Sequence, residues 1–270
     1  MNPGCKTRLR GTSRLAAALL LAVVISGCAT LGYPPLPDFQ LDSQSRVGYY
    51  MDDLGGSPTH THVGTTVFTN FTRSYEQLWP LAEHAASALE AEAARHGLVA
   101  VDLRDIGLDG EALAQLTTST SQGWQLAADQ ADLVARLQQD HQLAAVIVMR
   151  SLDRQQVFYV CGYGGCQSTF ANGMGVLSRG MFGHLGFHAV PAISMQVHVL
   201  QPPVNLARYS PLSNKLHPNS NSVPLNDRVE RPADIDTLSD DFLATVRTAI
   251  EERIDELIES AFHLLVNPTP

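Results

Sequence analysis

Cysteine is scarce in this chain, with four in 270 residues, at positions 5, 28, 161 and 166. That excludes a disulfide-dense secreted scaffold. Positive charge is also short. Lys and Arg number 18 against 27 Asp and Glu, a net charge of −9. No Lys/Arg run offsets this, which argues against nucleic acid and against anionic headgroups held by bulk charge. Long apolar runs are missing as well. Leu15–Ile25 is the longest, well short of the roughly 20 residues a membrane-spanning helix needs. Signatures of chemistry are equally thin. Gly162-Tyr163-Gly164 and Gly173-Met174-Gly175 lack the third glycine of a dinucleotide loop, and no G-x-x-x-x-G-K, G-x-S-x-G or H-E-x-x-H occurs. No catalytic residue, cofactor or metal site is therefore assigned.

What is present begins at the N-terminus. Lys6, Arg8, Arg10 and Arg14 form a basic n-region without an acid, and the apolar h-region Leu15–Ile25 follows. This is a secretory signal pattern. Ile25-Ser26-Gly27-Cys28 comes next and resembles the bacterial lipobox. The resemblance implies cleavage before Cys28, lipid on Cys28, and attachment to a membrane through that lipid. Residue +2 is Ala29, not the aspartate that retains enterobacterial lipoproteins in the inner membrane. The implied location is the periplasmic face of the outer membrane. Removal of the four basic signal residues leaves 14 basic against 27 acidic residues, a net charge of −13.

With Cys5 removed and Cys28 lipidated, Cys161 and Cys166 remain, separated by Gly162-Tyr163-Gly164-Gly165. In an oxidising compartment two nearby cysteines are expected to pair, and the glycines permit a tight loop. A loop this short gives a local staple of about 2 kcal/mol. A redox pair or a metal site is the alternative. The four-residue spacing and the lack of further cysteines speak against both.

Along the rest of the chain, Ala29–Thr61 is broken by Pro34, Pro35, Pro37, Gly55, Gly56 and Pro58 and reads as a flexible tether. Val63–Phe71 (VGTTVFTNF) is rich in β-branched and aromatic residues and reads as a strand. Ser74 with Gln77 has the capping-box pattern of a helix start. Leu98–Leu103, Ala144–Met149, Gln155–Val160 and Ile193–Leu200 read as strands, and Asp109–Leu116 and Gln125–Gln139 as helices. A last helix is capped by Thr237 or Ser239, with Phe242, Val246, Ile250, Ile254 and Leu257 on one face. The pattern predicts an α/β fold, a mixed β-sheet flanked by helices. Its parts are a signal peptide at 1–27, a lipidated tether at 28–61, and an α/β domain at 62–200 with a Gly-rich insertion at 161–191. A Pro/Asn/Ser-rich arm at 201–236 and a C-terminal helix at 237–266 packing on the domain complete it.

Three segments, VGTTVFTNF, LVAVDLRDIGLDGEALAQL and LAADQADLVARLQQDHQLAAVIVMRSLD, resemble a group of envelope lipoproteins. The group includes the TolB amino-terminal domain, LpoB, the CsgG periplasmic domain and the FlgO-like proteins. The resemblance spans about residues 63–200, is one of pattern, and implies a non-enzymatic envelope role. The chain departs from the group at Cys161–Pro191 and in the polar segment after it. Within that insertion Met174, Leu177, Met181, Phe182, Leu185 and Phe187 form a Met- and aromatic-rich set. It reads either as a loop or short helix folded on the core or as an adaptable contact surface for a protein partner or the membrane face. His60 with His62, and His184 with His188, read as surface or loop histidines. The leading expectation is a lipid-anchored, protein-binding accessory factor. An envelope hydrolase with a dispersed site and a structural subunit of an envelope complex are the rivals. No motif names the partner or an oligomeric state.

Overall fold

An apolar run such as AAVIVM must be covered on both faces, and the fold supplies that cover. The computed structural model describes residues 34–268 apart from 53, 122, 163, 164, 182, 183, 210, 211, 214, 215, 217–221 and 226. In chain order the elements begin with strands β1 (Arg46–Asp52), β2 (Thr59–Val63) and β3 (Phe71–Ser74). Helix α1 (Leu81–Arg95), β4 (Val99–Asp102) and the short α2 (Gly110–Leu113) follow. The hairpin β5 (Thr117–Thr120) and β6 (Gly123–Leu126) leads to α3 (Ala131–Gln139) and β7 (Leu143–Ser151). Then come β8 (Arg154–Gly162), β9 (Gly165–Asn172), β10 (Gly175–Met181), β11 (His184–Val190) and β12 (Ile193–Leu200). Strands β13 (Pro203–Asn205) and β14 (Val223–Pro224) precede the long helix α4 (Asp240–Val266).

Two five-stranded sheets form, ordered β13-β12-β7-β1-β4 and β14-β11-β10-β2-β3. In the first, β7 and β4 run parallel to β1, β12 is antiparallel to β7, and β13 is antiparallel to β12. Side chains alternate across a strand, so β7 feeds two cores. Ala145, Ile147 and Met149 join Val47, Tyr49 and Met51 of β1, Met195 and Val197 of β12, and buried residues of α1 and α4. Leu143, Val146 and Val148 meet Leu113 of α2 and Leu133, Val134 and Leu137 of α3 on the other face. The fold is thus α/β, with a mixed sheet between helices. Ser239 caps α4 by accepting a hydrogen bond from the Phe242 N–H. The helix packs beside α1 and reaches the second sheet, where Phe242 meets Phe187 edge-on at 5.1 Å.

Several expectations are corrected. The tether expected over 28–61 contains β1, the strand between β7 and β4, and most of β2. Phe39 and Leu41 already lie in the core. VGTTVFTNF is not one strand: it is the end of β2, a 3₁₀ turn at Val67–Thr69, and the start of β3. The Gly64 N–H bonds to Asn70 Oδ1 and closes that turn. Ser74 does not cap α1, which starts at Leu81 with Pro80 before it. Proline at that position has no N–H to lose from the helix ladder. The polar stretch after α2 forms the β5/β6 hairpin. The arm at 201–236 is part of the body, burying Leu206, Leu212, Leu216 and Leu225.

The Gly-rich insertion expected at 161–191 is not an appendage. It holds β9, β10 and β11, and β10 pairs with β2 and β11. Its glycines allow close approach. At Gly175, φ is +141°, and a Cβ would lie 2.2 Å from the Thr59 carbonyl oxygen and 2.7 Å from the Thr59 nitrogen. Both are backbone atoms of the paired strand, so no side-chain movement makes room. Gly175→Ala is therefore expected to lower unfolding stability by about 3 kcal/mol, from backbone strain and loss of strand pairing. Urea denaturation measures this, and an unchanged midpoint would sink the account.

Candidate functional site

Three polar groups are enclosed in the second sheet. His60 and His62 alternate with Thr61 on β2 and so share one face, which Ser178 of β10 also faces. His60 Nε2 lies 2.6 Å and His62 Nδ1 2.8 Å from Ser178 Oγ. His60 and Ser178 are fully buried and His62 is nearly so. Phe71 of β3 stacks on His62 and meets His60 edge-on, each at 5.1 Å between ring centres. These histidines are interior, against the expectation of surface or loop positions.

One hydroxyl between two imidazoles fixes the proton positions. The hydroxyl donates once and accepts from the other ring. His60 Nδ1 is buried without a partner. Leaving a bare nitrogen lone pair there costs less than leaving an N–H. His60 Nε2–H therefore donates to Ser178, and the Ser178 hydroxyl donates to His62 Nδ1. This is the geometry of a hydroxyl facing a base. Ser178 has no exposed surface, so the arrangement locks β10 to β2. Burial, with His62 and Arg73 adding to it, pushes the His60 pKa down to about 4. Burial also lowers His62, against the pull of Asp236.

His198 of β12 is a third enclosed histidine, fully buried with Nδ1 2.9 Å from Thr117 Oγ1 of β5. It bonds the β5/β6 hairpin to the first sheet. Desolvation first, then the Arg208 charge, pushes its pKa down to about 3. The Ala114 backbone pulls the other way, although Nε2 reaches no hydrogen-bond partner of regular geometry. Both histidine sites are neutral bridges between strands.

Charged groups gather elsewhere. In an open α/β sheet the crevice at the carboxyl ends of parallel strands is the usual ligand position where strand order reverses. Here that place, at the ends of β1, β4 and β7, holds ion pairs. Arg150 bonds Glu111 and lies 3.4 Å from Asp52, and Arg104 forks onto Asp102. Between α1 and α4 runs an open groove of about 450 Å³, continued by one of about 260 Å³. It is laced by His84 with Asp255 at 2.8 Å, His96 with Glu92 at 3.0 Å, and Arg95 with Glu92 and Glu259. Among the described residues no group of three or more His, Cys, Asp or Glu is placed to hold a metal.

Four of the six residues of the Met- and aromatic-rich set are described, and none of the four stands on an exposed surface. Met174, Leu177 and Phe187 lie in the core, and Leu185 packs half-buried against it. The Met181 side chain and Phe182 lie outside the described residues, as do Cys28 and the Cys161 and Cys166 side chains. The backbone of the last two is informative: Cys161 pairs directly with Cys166, one step inside the Gly162–Gly165 pair. Directly opposed residues on antiparallel strands sit at Cα separations of about 4.5–5.5 Å, within the range disulfides occupy. No protein-family model, curated protein or solved structure matches the chain.

Two outcomes follow from this geometry. A histidine with a folded pKa below its unfolded value binds fewer protons native than unfolded. Stability is then fully present above the unfolded pKa, near 6.5, and is lost as pH falls towards the folded value. With His60 near 4 and His198 near 3, the urea midpoint should fall from pH 7 to pH 5. The drop is on the order of a few kcal/mol, in a window where exposed carboxylates remain ionised. A flat profile there would show that these rings are not the buried neutral groups described. Separately, the chain produced in an oxidising periplasm should take up two alkyl groups at Cys161 and Cys166 only after reduction, as read by mass spectrometry. Alkylation without reductant would remove the disulfide.

Proposed function

We propose that this protein is a lipid-anchored lipoprotein of the periplasmic face of the outer membrane, acting as a non-enzymatic protein-binding or assembly accessory factor. The observation that carries the reading is the order of features at the N-terminus. A basic n-region, an apolar h-region and Ile25-Ser26-Gly27-Cys28 are followed within eleven residues of Cys28 by Phe39 in the folded core. No described helix is long and apolar enough to cross a membrane, and lipid supplies the attachment in its place. One acyl chain anchors marginally, and several anchor stably.

The place where the core begins sets the reach. Eleven residues span at most about 40 Å, whatever their conformation. A tether ending at residue 61 would have allowed roughly three times as much. The body therefore works close to its membrane, and its partner is another membrane-proximal protein. The α1–α4 groove is the face proposed for that partner. Its ion pairs are partly exposed, with side-chain exposure of 31% for His84 and 51% for Asp255. Such pairs contribute at most about 1 kcal/mol each, so an incoming chain exchanges them at small cost.

Palmitate labelling and crosslinking test the two halves. Wild-type protein should incorporate palmitate and sediment with outer membrane, whereas Cys28→Ala should do neither. A photo-crosslinker at Ser87 or Ala91, on the groove, should give one discrete protein adduct in native envelopes. Labelled Cys28→Ala would overturn the anchor. Crosslinking no stronger from the groove than from an exposed position on α3 would overturn the proposed face.

A further inference from the structure

The β5/β6 hairpin, the turn ahead of α3 and the 3₁₀ turn at Leu206–Arg208 border a separate, open polar concavity of about 370 Å³. Its polar lining is Gln115, Thr117, Thr118, Gln125, Asp129 and Arg208. Arg104, Arg150 and Arg228 each hold a carboxylate, whereas Arg208 has no hydrogen-bond or ion-pair partner among the described residues. It has none although Asp129 lines the same concavity and bonds only the neighbouring Gln130 amide, at 3.1 Å. Two opposite charges in one cleft, each left without the other, leave room for a ligand that carries both.

The floor is built. Thr117 is 2% exposed, and its hydroxyl is held by His198 Nδ1 at 2.9 Å. His198 is fully buried, so that hydroxyl is oriented from below and does not rotate freely. Asn205 fixes the approach of Arg208 by accepting the Ala207 N–H at the start of its turn. A guanidinium fork matches a carboxylate with two parallel hydrogen bonds. A carboxylate beside a hydroxyl accepts from an ammonium. A volume near the lower end of small-ligand sites suits a ligand of few heavy atoms. The acid opposite Arg208 works against dianions such as phosphate.

We propose that this concavity binds a free α-amino acid, its carboxylate on Arg208 and its ammonium on Asp129 and Thr117. The site is separate from the α1–α4 groove and does not depend on the partner reading.

Titration calorimetry on the full lipidated chain in detergent, with a panel of free L- and D-amino acids, tests it. At least one should bind saturably, with a Kd of about 0.1–1 mM. Arg208→Gln should weaken binding about tenfold or more, and the methyl ester of the same amino acid should be equally weak on wild type. Asp129→Asn should abolish the preference for the free over the N-acetylated form. Both residues are exposed, so the melting temperature of each variant without ligand should match wild type. No saturable heat up to about 10 mM across the panel, or unchanged affinity in Arg208→Gln, overturns the site. Equal binding of inorganic phosphate, or of the N-acetylated form on wild type, overturns the zwitterion assignment.

Discussion

The double-sided burial of β7 is the constraint on which the rest of the structure depends. A strand with Ala145, Ile147 and Met149 on one face and Val146 and Val148 on the other, all without exposed surface, needs two layers of cover. The chain supplies one with α1 and α4 and the other with α2 and α3. Parallel pairing to β1 requires a long crossover, and the intervening segments provide the helices. The second sheet is held to the same body because α4 is long enough to serve both. Its C-terminal half lies beside α1, where Phe262 stacks on His96, and its first turn meets Phe187.

Where sequence signals are local, the elements are legible. Ile193–Leu200 alternates apolar and polar residues and is β12 with the same ends. Asp109 caps α2 by accepting the Glu111 N–H, and α4 follows its apolar stripe. Elements set by distant partners are not. Arg46–Asp52 carries an alternation of Val47, Tyr49 and Met51, but prolines and glycines on both sides make it read as tether. Its burial depends on Glu90 of α1 accepting a hydrogen bond from the Tyr49 hydroxyl at 2.9 Å. Gly48 fits because a Cβ there would lie 2.7 and 2.8 Å from the methyl groups of Leu143 and Leu103. No window of sequence contains those contacts. The glycines of β10 mislead for the same reason. They read as a loop, yet Gly175 is there for close passage of the Thr59 backbone, more than 100 residues away.

The polar interior shows the limit from the other side. The H-x-H pattern of His60 and His62 places both rings on one strand face. What covers that face is a β10 residue 118 positions from His60. Without Ser178 the same pattern describes a solvated edge, and with it a neutral bridge in a medium where an unpaired N–H is expensive. His198 with Thr117 repeats the device in the first sheet, across 81 residues. Each bridge fastens a strand that apolar packing alone would leave free to slip, because register is weakly specified where a strand carries few large apolar side chains. β2 carries only one, Val63, and β5 carries none.

Under the proposed anchoring, the early start of the core changes the physics of partner choice. A body tied within about 40 Å of a membrane meets proteins of that membrane at a high effective concentration, so weak polar contacts suffice. After the proposed cleavage the chain would carry 14 basic against 27 acidic residues and would repel an anionic lipid surface at short range. On that proposal the tether would hold the body near the membrane while its charge would keep it off the headgroups. Both pressures favour contact through a surface where acids and bases alternate and can re-pair, which is the character of the α1–α4 groove. On the same proposal, burial of Met174, Leu177 and Phe187 in the core withholds apolar surface from the bilayer. A lipid-tethered body with a large apolar patch would lie down on the bilayer, and one with an ion-paired face stays available to a protein.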